Sequence, residues 1–282
     1  MVQTICVCGA GTMGSGIAQA AAQQGIYTLL YDVQSPALEK AKAGITKNLQ
    51  QLVDRKKLSE TEKNEVLSRI HFVSDINDCL ADVIIEAVIE KPNIKVSLFN
   101  QLAEVNHSEV VMATNTSSLS VTEIAEKVIR PERVIGMHFF NPATIMKLVE
   151  VVNTSYTNEQ TTQTIVMLAK QMGKTPVLCK DAPGFIVNHV ARPYYLEALK
   201  LAEKGIGDFD TIDSLMESTG FKMGPFRLMD LIGNDINYSV STEVYEALGH
   251  PERLKPSYIQ KEKVEKGELG RKSGKGYYEY KA

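Results

Sequence analysis

Apolar residues follow two rhythms along this chain, and the change from one to the other divides it. Through residue ~180, short continuous apolar runs alternate with stretches whose apolar positions recur every three or four residues. That is the pattern of buried parallel strands covered on both faces by helices. The runs predict strands at 4–8, 27–31, 82–88, 110–114, 133–139, 147–152 and 175–179. Between the second and third, Leu38, Ala41, Ile45, Leu49 and Leu52 form the apolar stripe of a helix over 37–53, and Lys56-Lys57-Leu58 leads to another from Ser59. A plain crossover needs less helix, so the excess predicts a helical hairpin inserted into the sheet domain, a wall for a large substrate. Pro92 suits a helix start, and Ser120-Val121-Thr122-Glu123 suits a capping box. From Pro183-Gly184 the short runs stop. Helices are expected at 185–204, 208–219, 225–248 and 256–267, broken at Gly205, Gly220 and Gly249.

The first strand, Ile5 to Cys8, breaks into Gly9-Ala10-Gly11-Thr12-Met13-Gly14 and continues as the small-residue helix Ser15 to Gln24. Strand, tight turn and helix start in that order bring backbone N–H groups and the positive helix end to a pyrophosphate. Gly9 suits the turn, Gly11 removes a side chain that would strike phosphates, and Gly14 lets the helix lie close on the sheet. The second strand ends in Asp32, eighteen residues after Gly14, where a carboxylate accepts from a ribose 2′-OH. These features specify the fold class: α/β, a Rossmann-type doubly wound sheet with a helical hairpin insertion over 1–183, which binds NAD, then an all-α domain over 184–282. No arginine follows Asp32 to grip a 2′-phosphate, which favours NAD over NADP.

Composition narrows the partners. The 282 residues carry a net charge of −3, with no basic run interleaved with aromatics, which argues against nucleic acid and membrane surfaces. The chain enters a strand at once, with neither a basic leader nor about 20 consecutive apolar residues, so no signal peptide or membrane span is expected. The four cysteines, Cys6, Cys8, Cys79 and Cys179, form no C-x-x-C pair. Cys6 and Cys8 share one face of the first strand and read as buried small hydrophobes rather than a metal site, and a reducing, cytoplasmic setting follows.

The chemistry-bearing residues fall where strands end. His138 stands near the carboxyl end of the strand 133–139, the edge on which open α/β sheets bind ligands. Glu150 interrupts the apolar run Leu148 to Val152, and a buried carboxylate needs a partner. A hairpin-like return from His138 would set the two side by side, a base and the group that orients it. The hydroxyl-rich turn Thr114 to Ser120 follows the strand 110–114; Ser120 reads as a helix cap, leaving Ser117 and Asn115 to face a ligand. Asn188 lies in the first turn of the helical domain, able to donate to a substrate oxygen or to pack against a neighbouring helix.

In this order, these segments resemble the L-3-hydroxyacyl-CoA dehydrogenase family, and within it the bacterial short-chain 3-hydroxybutyryl-CoA dehydrogenases. The likeness runs through Gly9 to Ala18, Ile85-Glu86-Ala87 with Glu90 and Lys95, Asn115 to Leu119, Gly136 to Pro142, Met146 to Val151, Ala182 to Phe185, Met223 to Phe226, Asp230 to Gly233 and Gly270 to Gly276. The resemblance implies reversible NAD-linked oxidation of a 3-hydroxyacyl-CoA. It makes His138 the general base paired with Glu150, with Ser117 and Asn188 on the substrate oxygen. Glu90, Lys95, Asn115 and Asn141 then line the cofactor or its junction with substrate, and Lys272 is a late lysine near the cofactor. It further implies a homodimer through the helical domain. Ala143-Thr144-Ile145 departs from the family's proline-containing loop. Two other readings stay open at this point: a dehydrogenase of a free hydroxyacid without CoA, and a non-catalytic NAD sensor.

Overall fold

The computed structural model describes residues 2–280; Met1, Lys281 and Ala282, at the outer ends of the two expected domains, lie outside them. The chain divides into two compact units, one ending at Asp181 and the other beginning at Ala182.

The first unit runs β1 (Thr4–Cys8), α1 (Thr12–Gln23), β2 (Tyr27–Tyr31), α2 (Ser35–Asp54), α3 (Glu60–Ser68), β3 (Ile70–Val73), β4 (Val83–Glu86), α4 (Pro92–Val105), β5 (Val111–Thr114), α5 (Val121–Ala125), β6 (Val134–Phe139), β7 (Leu148–Asn153), α6 (Glu159–Gln171) and β8 (Thr175–Lys180). One eight-stranded sheet results, ordered β3-β2-β1-β4-β5-β6-β7-β8. The order reverses between β1 and β4, so a crevice opens beyond the carboxyl ends of those strands, beside the glycine turn. Pairing is parallel except between β6 and β7. Ile5 and Val7 of β1 pack with Val83 and Ile85 of β4 into the core under α1, while Cys6 and Cys8 take the other face with their sulfurs 3.8 Å apart.

Two features of this unit depart from expectation, the strand β3 and the capping of α5. A strand, β3, follows α3, adding a parallel neighbour to β2 at the sheet edge. Only Ile70 of its four residues is buried, so no apolar run marked it. The second helix of the inserted hairpin starts with a capping box: Ser59 accepts from the Glu62 amide, and the Glu62 side chain accepts from the Ser59 amide. At α5 the box is only half formed. Ser120 Oγ accepts from the Glu123 amide, but the other donors turn to Asp181, whose Oδ2 takes both Ser120 Oγ and the Thr122 amide at 2.8 Å.

The second unit holds α7 (Val187–Glu203), α8 (Phe209–Ser218), α9 (Pro225–Ile232), α10 (Asn234–Ala247) and α11 (Tyr258–Glu265). The single helix expected over 225–248 is two, because Gly233 adopts φ +108°, a backbone that ends α9 and starts α10. Phe226, Met229, Leu196, Leu199 and Ile212 fill its core, with Tyr277 packed edge-on against Phe226. Asp230, buried beneath them, accepts from the Tyr277 and Tyr278 amides, Tyr280 Oη and Asn234 Nδ2.

Candidate active site

The glycine turn has the shape its sequence predicted. Gly9 sits at φ +104°, where a Cβ would also lie 2.6 Å from the Ala87 carbonyl, and a Cβ at Gly14 would meet the Gly9 carbonyl at 1.8 Å. At Gly11 nothing stands within 4 Å, so space is open above the turn. No side chain caps α1 at Gly11, which leaves its first N–H groups for an anion. Asp32 closes the turn: Oδ2 accepts from the Ala10 amide at 2.8 Å, and Oδ1 from the Gln34 amide at 2.9 Å. Open N–H groups and a fixed carboxylate at the sheet's switch point fit a dinucleotide's pyrophosphate and adenosine ribose.

His138 and Glu150 lie directly opposite each other in the β6–β7 ladder. Both are buried, and Nδ1 of His138 lies 2.8 Å from Glu150 Oε2. Strand alternation gives them one face, so the apolar neighbours Met137, Phe139, Val149 and Val151 point to the other and anchor the pair in the core. Phe140 packs its ring 4.6 Å from the imidazole. With its Nδ1–H held by a carboxylate, an imidazole presents Nε2 as a base.

The turn after β5 is organised by carboxylates. Glu86, the last residue of β4, is fully buried: Oε1 accepts from Lys95 Nζ at 2.6 Å and the Val88 amide at 2.8 Å, and Oε2 from Thr114 Oγ1 at 2.7 Å. Burial pushes its carboxyl above the usual range, against the opposing pull of Lys95 and its hydrogen bonds. Lys95, also buried, reaches Glu90 at 3.0 Å. Glu90 in turn accepts from Thr116 Oγ1, the Ser117 amide and Ser118 Oγ. The sequence singled out Glu90 and Lys95 but gave Glu86 no role, although it carries the signal that flagged Glu150: one carboxylate in an apolar run, Val83-Ile84-Ile85-Glu86.

Asn115 has a structural bond as well. Its Oδ1 accepts from the Phe139 amide at 2.8 Å, stitching the β5 turn to the end of β6, so that oxygen is committed to the backbone. Asn141 is exposed in the loop after β6, two residues before Ala143, whose Cβ lies 3.3 Å from the Cβ position of Gly16 on α1. In the second unit, Asn188 lies in the first turn of α7, where its carbonyl accepts from Arg192 Nε at 3.0 Å. Lys272 is exposed and ion-paired with Asp235 at 2.6 Å.

Residues 4–182 match the family model described as 3-hydroxyacyl-CoA dehydrogenase, NAD binding domain, and residues 184–280 match 3-hydroxyacyl-CoA dehydrogenase, C-terminal domain. The chain is 46% identical over its whole length to the 3-hydroxyadipyl-CoA dehydrogenase of Escherichia coli K12, of which it spans 60%. It is 38% identical to a probable 3-hydroxybutyryl-CoA dehydrogenase of Deinococcus radiodurans, covering 97% of this chain and 99% of that one. The crystal structure of (S)-3-hydroxybutyryl-CoA dehydrogenase from Ralstonia eutropha superposes with a TM-score of 0.94 at 36% identity, covering 100% of both chains.

Proposed function

Because the chain belongs to the 3-hydroxyacyl-CoA dehydrogenase family, we propose that it interconverts short-chain L-3-hydroxyacyl-CoA and 3-ketoacyl-CoA, with 3-hydroxybutyryl-CoA and acetoacetyl-CoA as the pair. NAD supplies the hydride acceptor when bound. His138 takes the hydroxyl proton at Nε2, and Glu150 fixes the ring and stabilises the imidazolium that forms. Ser117 Oγ and the Asn188 side-chain amide donate to the substrate oxygen as charge develops there. Asp32 and the turn Gly9 to Gly14 hold the adenosine ribose and pyrophosphate, while Glu90, Lys95, Asn115, Asn141 and Lys272 serve the cofactor side. NAD is preferred to NADP because Asp32, already fixed by two amides, repels a 2′-phosphate.

The observation that carries this reading is the buried His138–Glu150 pair at the carboxyl edge of the sheet. Mixing the protein with NADH and either acetoacetyl-CoA or acetoacetate tests it. Loss of NADH absorbance is expected with the thioester alone; equal turnover of free acetoacetate, or none of either, refutes it. The helical unit exposes Val190, Ile206, Leu215 and Phe221, which supports a homodimer formed through it, measurable by light scattering. All four cysteines are free thiols, which supports a reducing, cytoplasmic setting, and no helix among the described residues is long and apolar enough to cross a membrane.

A further inference from the structure

Glu86 is an ionisable group at the end of a central strand, with no solvent contact. Leaving a carboxylate there is costly, and well-packed apolar residues in place of a buried ion pair are often no less stable. Fold stability alone therefore gives little reason for the Glu86–Lys95 pair. What the pair does have is a continuous connection to the proposed site. Glu86 Oε1 lies 2.6 Å from Lys95 Nζ, Lys95 lies 3.0 Å from Glu90 Oε2, and Glu90 Oε1 gathers the Thr116 hydroxyl, the Ser117 amide and the Ser118 hydroxyl. Three elements supply Glu86 with fixed donors: the Val88 amide just past β4, Thr114 on β5 and Lys95 on α4. Its carboxylate therefore has one position. Glu90, on an exposed loop, has a looser setting: besides the turn it orders, Lys95 is what aims it.

We infer that Glu86 is a positioning residue for the dehydrogenase reaction, fixing Lys95 so that Lys95 aims Glu90 and Glu90 holds the Ser117 turn at the cofactor side of the site. The inference rests on the dehydrogenase reading and deepens it. Glu86 touches no substrate; it acts through two side chains, and its loss should disturb NADH affinity and turnover without changing the reacting groups.

Glu86→Gln, Lys95→Met and the double variant separate this role from a purely structural one. Each single substitution should lower kcat/KM for NADH about 10- to 100-fold, the scale of a misplaced site. Each should also lower Tm, because each leaves its former partner poorly compensated in the core. The double variant removes both charges, so its Tm should climb back toward that of the wild type. Its kcat/KM and its NADH Kd, read by fluorescence without substrate, should stay at the level of the single variants. Recovery of activity together with Tm would overturn the inference, since a structural pair recovers both at once. Losses that multiply in the double variant would overturn it too, because Glu86 would then not act through Lys95. Where Glu86→Gln fails to fold, Glu86→Asp keeps the charge and withdraws it by one carbon; about 10-fold lower kcat/KM is expected, and wild-type values would overturn the inference. A wild-type protein inert toward acetoacetyl-CoA would refute the dehydrogenase reading instead, while NADH Kd would still report on Glu86.

Discussion

Replacing Glu150 with glutamine asks how much of the barrier the buried carboxylate removes. Glutamine keeps the length of the side chain and an acceptor for His138 Nδ1, now 2.8 Å from Glu150 Oε2, but removes the charge that faces an imidazolium. Two unit charges about 4 Å apart attract by about 4 kcal/mol at an effective dielectric constant of ~20. The neutral hydrogen bond that remains returns about 1 kcal/mol. A net loss of ~3 kcal/mol, at about 1.4 kcal/mol per factor of ten, predicts a kcat lowered about 100-fold or more. Glutamine's amide end can also turn to Nδ1 and impose the wrong tautomer, which adds to the loss. Since no contact to the glycine turn changes, NADH Kd should stay within about twofold. Because glutamine keeps the side chain's length and a hydrogen bond to His138, Tm should change little. The assay is single-turnover oxidation of NADH by acetoacetyl-CoA, with Kd from NADH fluorescence and Tm from calorimetry. A kcat near wild type would return Glu150 to the role of an ordinary buried strand residue; a collapse of Tm would show that the pair holds the fold rather than the reaction.

Asp32→Ala should narrow the preference for NADH over NADPH, and because Asp32 also holds the Ala10 amide it should weaken NADH itself; equal use of both cofactors by the wild-type protein would refute the assignment. Ser117→Ala and Asn188→Ala should each lower kcat about 10- to 1,000-fold. Because Ser120, not Ser117, caps α5, Ser117→Ala should leave Tm nearly unchanged. Ser120→Ala, which removes the hydroxyl that caps α5 and donates to Asp181, should cost about 1 kcal/mol of stability and little activity. Lys263 and then Lys275 hold the Glu268 carboxyl down to about 2. Stability from this cluster is therefore fully present above the ordinary value of 4.5 and is lost as pH falls toward 2. The Tm difference between wild type and Glu268→Gln should shrink to nothing across that window.

The sheet was legible because its strands are continuous apolar runs and its helices carry stripes. The two failures are local. β3 hides its single buried residue, Ile70, behind a helix, and Gly233 resembles a helix-interior glycine until its φ of +108° is known. The His138–Glu150 pair could be read from residue types alone, because two ionisable side chains in neighbouring apolar runs each need a partner. The structural bond of Asn115 was not legible, since an amide in a hydroxyl-rich turn gives no sign that its oxygen will accept from a backbone N–H of the next strand. Glu86 went unassigned for a related reason: its partner Lys95 comes from a helix, and only the folded chain brings that lysine beneath the sheet edge.

The antiparallel ladder between β6 and β7 has a consequence for how this protein tolerates change. A slide of one residue along that ladder would place Val149 or Val151 opposite His138 and send the carboxylate to the far side of the sheet. The loop 140–147 thus sets the phase of the base and its orienter. Lys174 helps to hold that phase, donating from outside the hairpin to the carbonyls of Ala143 and Met146. Such a loop accepts new side chains at its exposed positions, as at Ile145, but a single inserted or deleted residue there would uncouple the pair while leaving every one of its atoms in the chain. Variation at this edge should accordingly be rich in substitutions and poor in changes of length.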